Sequence, residues 1–367
     1  MQGGEGGLPD IAGIDVRVDA AKGYGNTLHD LRVRGSGRNG LISTRLSARE
    51  ASGDLIWQPQ DAGKLYVRLK HLMLGENDAA LPPAVIVPQE EAPEASAPLT
   101  LPEIDLAVEQ LSWKGRQLGR LEMLMAGEEG DAVLRRLRLT NPDGVITASG
   151  RWRPLQGETR INTRIEIADA GKILARSGYP EGLSGGGGVL ESELRWRGAP
   201  DAFDYARLDG NLRLKTGKGR FLQVDPGAAK LLGVLSLQSL PKRISLDFTD
   251  VFTPGFEFDS ITGDAVIQNG LLRTDNFMLS GSSAKVTLQG EVDLQRETQA
   301  LKVRVLPAIG DNVSLLSFAA GPAVGVGVLL TNKLLRDPLD KLVAFDYNVS
   351  GSWADPRVER IGGRQAQ

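Results

Sequence analysis

"AKVTLQGEVDL", Ala284–Leu294, alternates apolar and polar side chains residue by residue. Val286, Leu288, Val292 and Leu294 fall on one side; Lys285, Thr287, Gln289, Glu291 and Asp293 fall on the other. Successive strand side chains point to opposite faces, so this text reads as a half-buried β-strand with one wet face. "TRINTRIEIA" (159–168) repeats it, setting Ile161, Thr163, Ile165 and Ile167 against Arg160, Asn162, Arg164 and Glu166. "LKVRV" sets Leu301, Val303 and Val305 against Lys302 and Arg304, and "NLRLK" contributes Leu212 and Leu214. "IDVRVDA", "LYVRLKHLML" and "IDLAVEQ" are weaker versions. One-sided alternation of this kind belongs to antiparallel sheets. "QNGLL" at Asn269-Gly270 is a two-residue hairpin signal.

The bulk composition agrees. Of 367 residues, 45 are glycine and only 5% are aromatic, which favours a large sheet with many turns over a thick aromatic core. The net charge of −3 gives no basic surface for nucleic acid. Cysteine is absent, which excludes disulfides, thiolate nucleophiles and Cys-based metal sites. The start "MQGGEGGLPD" has neither the basic nor the apolar region of a signal peptide, and no anchor follows it, so a fragment of a longer chain is expected.

Residues 75–100 hold five prolines and five acidic residues with no basic or aromatic residue, and read as an extended linker. They divide an N-terminal sheet segment (1–74) from a β-segment (101–218) and a C-terminal region (219–367). "GLSGGGGVL" (182–190) is a second flexible point, within a sheet. Helical text is scarce. Residues 225–240 open with Asp225-Pro226, a capping residue followed by proline at the first helical position. That helix lacks the polar face of an ordinary surface helix. Residues 312–342 form a second apolar region, broken at Gly321-Pro322. "DAGKILARSGYP" (169–180) reads as one short helix beside a strand.

Catalytic chemistry is hard to place. The glycine cluster lacks the Lys-Ser/Thr of a phosphate loop, and neither HExxH nor a G-x-S-x-G elbow occurs. His29 and His71 lie far apart and read as strand or surface residues. Glu128-Glu129 sit in "GEEGD", a solvated hairpin tip. All five tryptophans, Trp57, Trp113, Trp152, Trp196 and Trp353, end a strand-like run just before a turn, closing a sheet rim over Gly or Pro. The chain reads as a non-enzyme with no cofactor and no metal site.

Strand after strand therefore offers one apolar face of Ile, Leu, Val and Ala. Alternation alone does not separate a closed sandwich from a sheet curled into an open trough. A trough of about twenty strands would run on the order of 90 Å at ~4.8 Å per strand. Its lining would suit acyl chains, which gain about 0.8 kcal/mol per buried CH₂.

Three stretches carry a resemblance. "GRFLQVDPGAAKLLGVLSLQSLPKRISLDFTDVFTPGFEFDSITGDAVIQNGLLRTDNFMLSG", "YPEGLSGGGGVLESELRWRGAP" and "YNVSGSWADPRVERI" resemble the C-terminal region of the AsmA-like proteins of Gram-negative bacteria, in the YhdP branch. The resemblance covers most of the chain from about residue 101. It implies a mostly β fold, a long curved antiparallel sheet forming an open groove with an apolar interior, plus a few short helices near the C-terminal end. It also implies carriage of phospholipid across the periplasm between inner and outer membrane, in a longer protein anchored in the inner membrane, with this portion toward the outer membrane. The expected groove lining is Ile161, Ile165, Ile167, Leu212, Leu214, Val286, Leu288, Val292, Leu294, Leu301, Val303 and Val305. Leu231, Leu232, Leu235, Leu315, Leu316, Phe318, Val328 and Leu329 are expected at a groove end or against membrane or partner. The expected partners are phospholipid acyl chains, a membrane surface and an envelope protein, with no nucleic acid. The alternative is a closed structural module that docks an envelope protein at the outer membrane.

Overall fold

The computed structural model describes residues 10–23, 26–60, 62–75, 101–178, 182–222, 256–307 and 344–361. The apolar segments 225–240 and 312–342, with Leu231, Leu232, Leu235, Leu315, Leu316, Phe318, Val328 and Leu329, lie outside the described residues. The chain divides into two compact units, Met1–Tyr179 with Val189–Asn211, and Pro180–Gly188 with Leu212–Gln367.

The first unit is a sheet in sequence order: β1 (Ile11–Gly23), β2 (Asn26–Arg38), β3 (Leu41–Ser47), β4 (Ala51–Gln58), β5 (Lys64–Leu74), β6 (Glu103–Trp113), β7 (Arg116–Glu128), β8 (Asp131–Asn141), β9 (Gly144–Arg153) and β10 (Glu158–Ile167). Each strand pairs with the next, and every ladder but one is antiparallel. The β5–β6 pair is parallel. A parallel pair needs a crossover of a dozen or more residues, and residues 75–100 supply the length. Bulges interrupt the register in β1–β2, β4–β5, β6–β7, β7–β8 and β8–β9. Each bends its strand and raises the local twist.

Tight turns set the register. At the β7–β8 tip Glu129 and Gly130 both take positive φ, the backbone of a two-residue hairpin. Glu128 is not idle there: it accepts from Arg135 Nη2 at 3.0 Å and from Arg151 Nη2 at 3.3 Å. The short helix expected from 169–180 is α1 (Ala170–Ser177), capped by Asp169 accepting from Lys172 N–H at 3.1 Å and ended by Gly178 at φ 102.

β11 (Leu183–Gly185), β12 (Gly188–Arg197), β13 (Asp209–Thr216), β14 (Gly219–Phe221) and β15 (Glu257–Phe258) follow, then β16 (Ser260–Gln268), β17 (Leu271–Ser280), β18 (Ala284–Asp293), β19 (Thr298–Pro307), β20 (Phe345–Ser352) and β21 (Pro356–Ile361). In the second unit β16 to β21 form an antiparallel meander. Asn269 (φ 49) and Gly270 (φ 76) make the β16–β17 turn that "QNGLL" signals.

The glycine run makes a corner. β11, β14 and β15 form a separate three-stranded sheet. β11 passes into β12 through Gly186-Gly187, β13 into β14 through Gly217-Lys218, and β15 into β16 through Asp259. Gly185 and Gly186 take φ +73 and +70, which only glycine adopts at little cost. Gly186 N–H donates to Lys218 O at 2.8 Å and Gly217 N–H to Gly187 O at 2.7 Å, so the corner is hydrogen-bonded.

Candidate functional site

In the first unit the ladders align ten residues into one row across the strands: Val16, Val33, Leu46, Gly53, Leu69, Val108, Leu121, Leu139, Ile146 and Ile165. No polar side chain enters it. Neighbouring rows on the same face hold Leu55, Val67, Leu106, Met123 and Leu137, and then Ile42, Trp57, Leu65, Ile104, Met125, Leu134 and Ile161. At ~4.8 Å per strand the face runs about 40–45 Å.

The opposite face is ionic. Arg45 pairs with Asp54 at 2.9 Å, Arg68 with Asp105 at 3.0 Å, Arg151 with Asp131 at 2.9 Å and Arg160 with Glu158 at 2.7 Å. Arg164 pairs with both Glu166 and Glu191. Each exposed pair adds little stability, but together they keep this face wet and fix which side turns inward.

The apolar face is mostly half-buried rather than sealed. Val108 is fully buried, with Leu69 and Leu111 beside it, and Val67, Leu106, Leu121 and Leu139 partly exposed around them. Ile161, Ile165 and Ile167 are also half-buried. At the Ile167 end, α1 lies over the sheet. Gly144 is the ladder partner of Ile167, and a side chain there would collide with Ile173. Arg176 fastens the helix to Asp143 and donates to Gln117 O at 2.8 Å.

The second unit differs. Val286, Leu288, Val292, Leu301, Val303 and Val305 form one face by ladder register, and all are buried, Val305 completely. Leu212, Leu214 and Leu294 are half-buried; Leu214 and Leu294 pack against this cluster. Phe256 and Phe258 belong to the same core, and Leu183 and Phe221 pack on it. The Phe221 ring lies 6.2 Å from Phe256 and 5.2 Å from Phe258, between centroids. The small sheet beyond the glycine corner thus contributes an aromatic cluster to a closed core. On the far face Arg304 donates to both carboxylate oxygens of Asp346, at 2.7 and 2.9 Å, and holds that carboxyl below its usual range.

Three of the tryptophans close turns. Trp57 lies against Gly63 and Trp113 against Gly75, where an added side chain would meet each ring. Trp196 Nε1 donates to Ala199 O at 3.0 Å. Both histidines lie on strands. His29 N–H donates to Glu50 Oε2 at 2.7 Å and its Nδ1 is 2.6 Å from Oε1, while His71 Nδ1 is 3.0 Å from Ser52 Oγ.

Sequence reasoning found the alternation but missed the row through Val33, Leu69, Val108 and Leu139. Its signal was present in "LYVRLKHLML" and "IDLAVEQ"; the register that joins them was not.

No solved structure matches this chain. It is 28% identical over 272 residues to the "Intermembrane phospholipid transporter YhdP" of Escherichia coli (strain K12), a match covering 71% of this chain and 21% of that protein. The chain thus matches about a fifth of the relative's length. The family profile described as YhdP protein matches residues 2–358. With nearly every residue inside that match, the chain belongs to the YhdP protein family.

Proposed function

We propose that this chain holds phospholipid acyl chains on the apolar face of its first unit, as one stretch of a longer carrier moving phospholipid between the inner and outer membranes. One observation carries the reading: a ten-strand row with no polar side chain, left half-buried or exposed except at Gly53, Leu69 and Val108. Acyl chains need apolar area without directional partners, about 25 cal/mol per Å² buried. Sliding along such a row breaks no hydrogen bond, so it supports movement as well as binding. The named relative is an intermembrane phospholipid transporter, which supports the same reading and a non-catalytic role. The compartment this requires is the periplasm, with outer-membrane lipid homeostasis as the outcome.

The second unit supports a different role. Its face is closed, with Val303 2% exposed. That favours the second reading, a closed module that docks an envelope protein.

Native mass spectrometry of the purified chain tests the first reading. Co-purifying phospholipid that is lost in Ile165→Asp and Leu139→Asp, both still folded, is the expected result. A wild-type chain free of lipid after exposure to phospholipid vesicles would sink it.

A further inference from the structure

The β6–β7 hairpin of the first unit carries unlike charges at its two ends. Its open end holds Glu103 and Glu128, with Glu129 and Asp131 at the β7–β8 tip beside them. Glu103 pairs with Lys64 and Arg135, Glu128 with Arg135 and Arg151, and Asp131 with Arg151. Its turn holds Trp113, Lys114 and Arg116, all exposed. Neither Lys114 nor Arg116 has a carboxylate partner among the described residues.

The register places the turn residues on the apolar side. Leu74 partners Trp113 across the parallel ladder, Trp113 partners Arg116, and Leu72 partners Leu111 one step further in. Leu72, Leu74 and Leu118 pack on the cluster of Leu69, Val108 and Leu111. Trp113 is 41% exposed, and the Lys114 ammonium lies 4.7 Å from its ring centre. Arg116 Nη1 donates to Ser177 O of α1 at 3.4 Å, the same helix that covers Gly144 of the apolar face with Ile173. Arg176 of that helix is spent on Asp143 and on Gln117 O.

A guanidinium and an ammonium without counter-ions, beside an exposed indole at the edge of an apolar sheet, match the boundary of an amphiphile. Arg and Lys both recognise phosphate oxygens. An indole suits the level where apolar chains meet polar groups. The carboxylates at the far end of the hairpin repel the same phosphate, which gives a bound lipid one direction across the sheet.

We propose that Lys114 and Arg116 bind the phosphate of a phospholipid, with Trp113 at its glycerol and its acyl chains running inward over Leu72, Leu74 and Leu118. The assignment rests on the acyl-chain reading above and adds where the headgroup sits. Recognition is of the phosphate and is indifferent to the alcohol esterified to it.

The test exposes the full chain to vesicles of phosphatidylglycerol holding a minor share of diacylglycerol with the same acyl chains. Native mass spectrometry counts each retained lipid relative to its share of the vesicle. The diacylglycerol keeps chains and esters but lacks the phosphate. Wild type is expected to favour phosphatidylglycerol about five- to tenfold, the size of one hydrogen bond to a charged group at an exposed site. Added salt should shrink that preference. Lys114→Gln and Arg116→Gln should each pull the ratio toward one with diacylglycerol uptake and melting temperature unchanged. Glu129→Gln, at the acidic end, should leave the ratio at its wild-type value. Equal wild-type uptake of both lipids overturns the phosphate site and leaves the lipid reading standing. So does a preference that survives both substitutions, or a loss of both lipids together in the variants, which marks a structural role. Inorganic phosphate that binds the lipid-free chain and is lost in Arg116→Gln, with no lipid preference, marks a free-anion site and also overturns it. Uptake of neither lipid by wild type overturns the lipid reading and this site with it.

Discussion

Leu69 on β5 and Val108 on β6 are register partners across the parallel ladder, although residues 75–100 separate their strands in sequence. The apolar row therefore passes from the N-terminal strands into the rest of the first unit without a break. Two strands separated by residues 75–100 in the chain are joined by their ladder and by this contact.

A protease site inserted after Pro88 should leave the fragments associated once cut. Co-elution on size exclusion under native conditions is the expected outcome. Separation would mean that the β5–β6 ladder and its apolar contacts are too weak to hold the unit.

Charge insertion should act differently in the two units. Val303→Asp buries an unpaired carboxylate where the wild-type side chain is 2% exposed. It should cost about 3–5 kcal/mol and unfold the second unit. Ile165→Asp lands on a half-buried row, costs about 1–2 kcal/mol, and should abolish lipid retention with the fold kept. Denaturant titration of each variant, beside its lipid count, checks the contrast.

Glu50 should make the first unit acid-sensitive. Burial raises its pKa, but the hydrogen bonds from His29 N–H and the His29 ring outweigh it, and the carboxyl is more acidic than usual. A depressed folded pKa contributes stability above the unfolded value, lost as pH falls through the folded one. Urea midpoints should drop as pH falls through and below the ordinary carboxylate range, and Glu50→Gln should flatten that slope. Glu50→Ala should cost about 1–3 kcal/mol at neutral pH, since it orphans His29 N–H.

Phe258→Ala should destabilise the second unit by about 3–5 kcal/mol, the range for a buried Phe deletion. Gly186→Ala should cost about 1–2 kcal/mol through its left-handed backbone alone. Unfolding curves followed by near-UV absorption and by ANS fluorescence would register both. An unchanged melting temperature for Phe258→Ala would mean the small sheet adds nothing to the core.

Much of this was legible residue by residue. Period-two text placed Ile161, Ile165, Val286 and Val303 on apolar faces, because strand geometry leaves no other option for alternating side chains. Asn269-Gly270 announced its hairpin, and Asp169 with Gly178 bracketed α1. Tryptophan before a turn marked a rim, because a large ring covers the gap a glycine leaves. Residues 182–190 read as a flexible point, and the structure makes a hydrogen-bonded corner there.

What alternation left open was which apolar faces stay reachable. Ile165 and Val303 sit in near-identical local text, "TRIEI" and "LKVRV". One is half-exposed on a sheet row and the other sealed in a core that includes Phe256 and Phe258. Nor does the text show that Gln299, which alternation sets on the same face as Leu301, is buried there without a partner. Side-chain direction is a property of one residue and its strand, so the sequence by itself determined it. Burial and hydrogen-bond satisfaction depend on what lies across the ladder and above the face, and those neighbours come from segments distant in the chain. Only the tertiary structure could decide them.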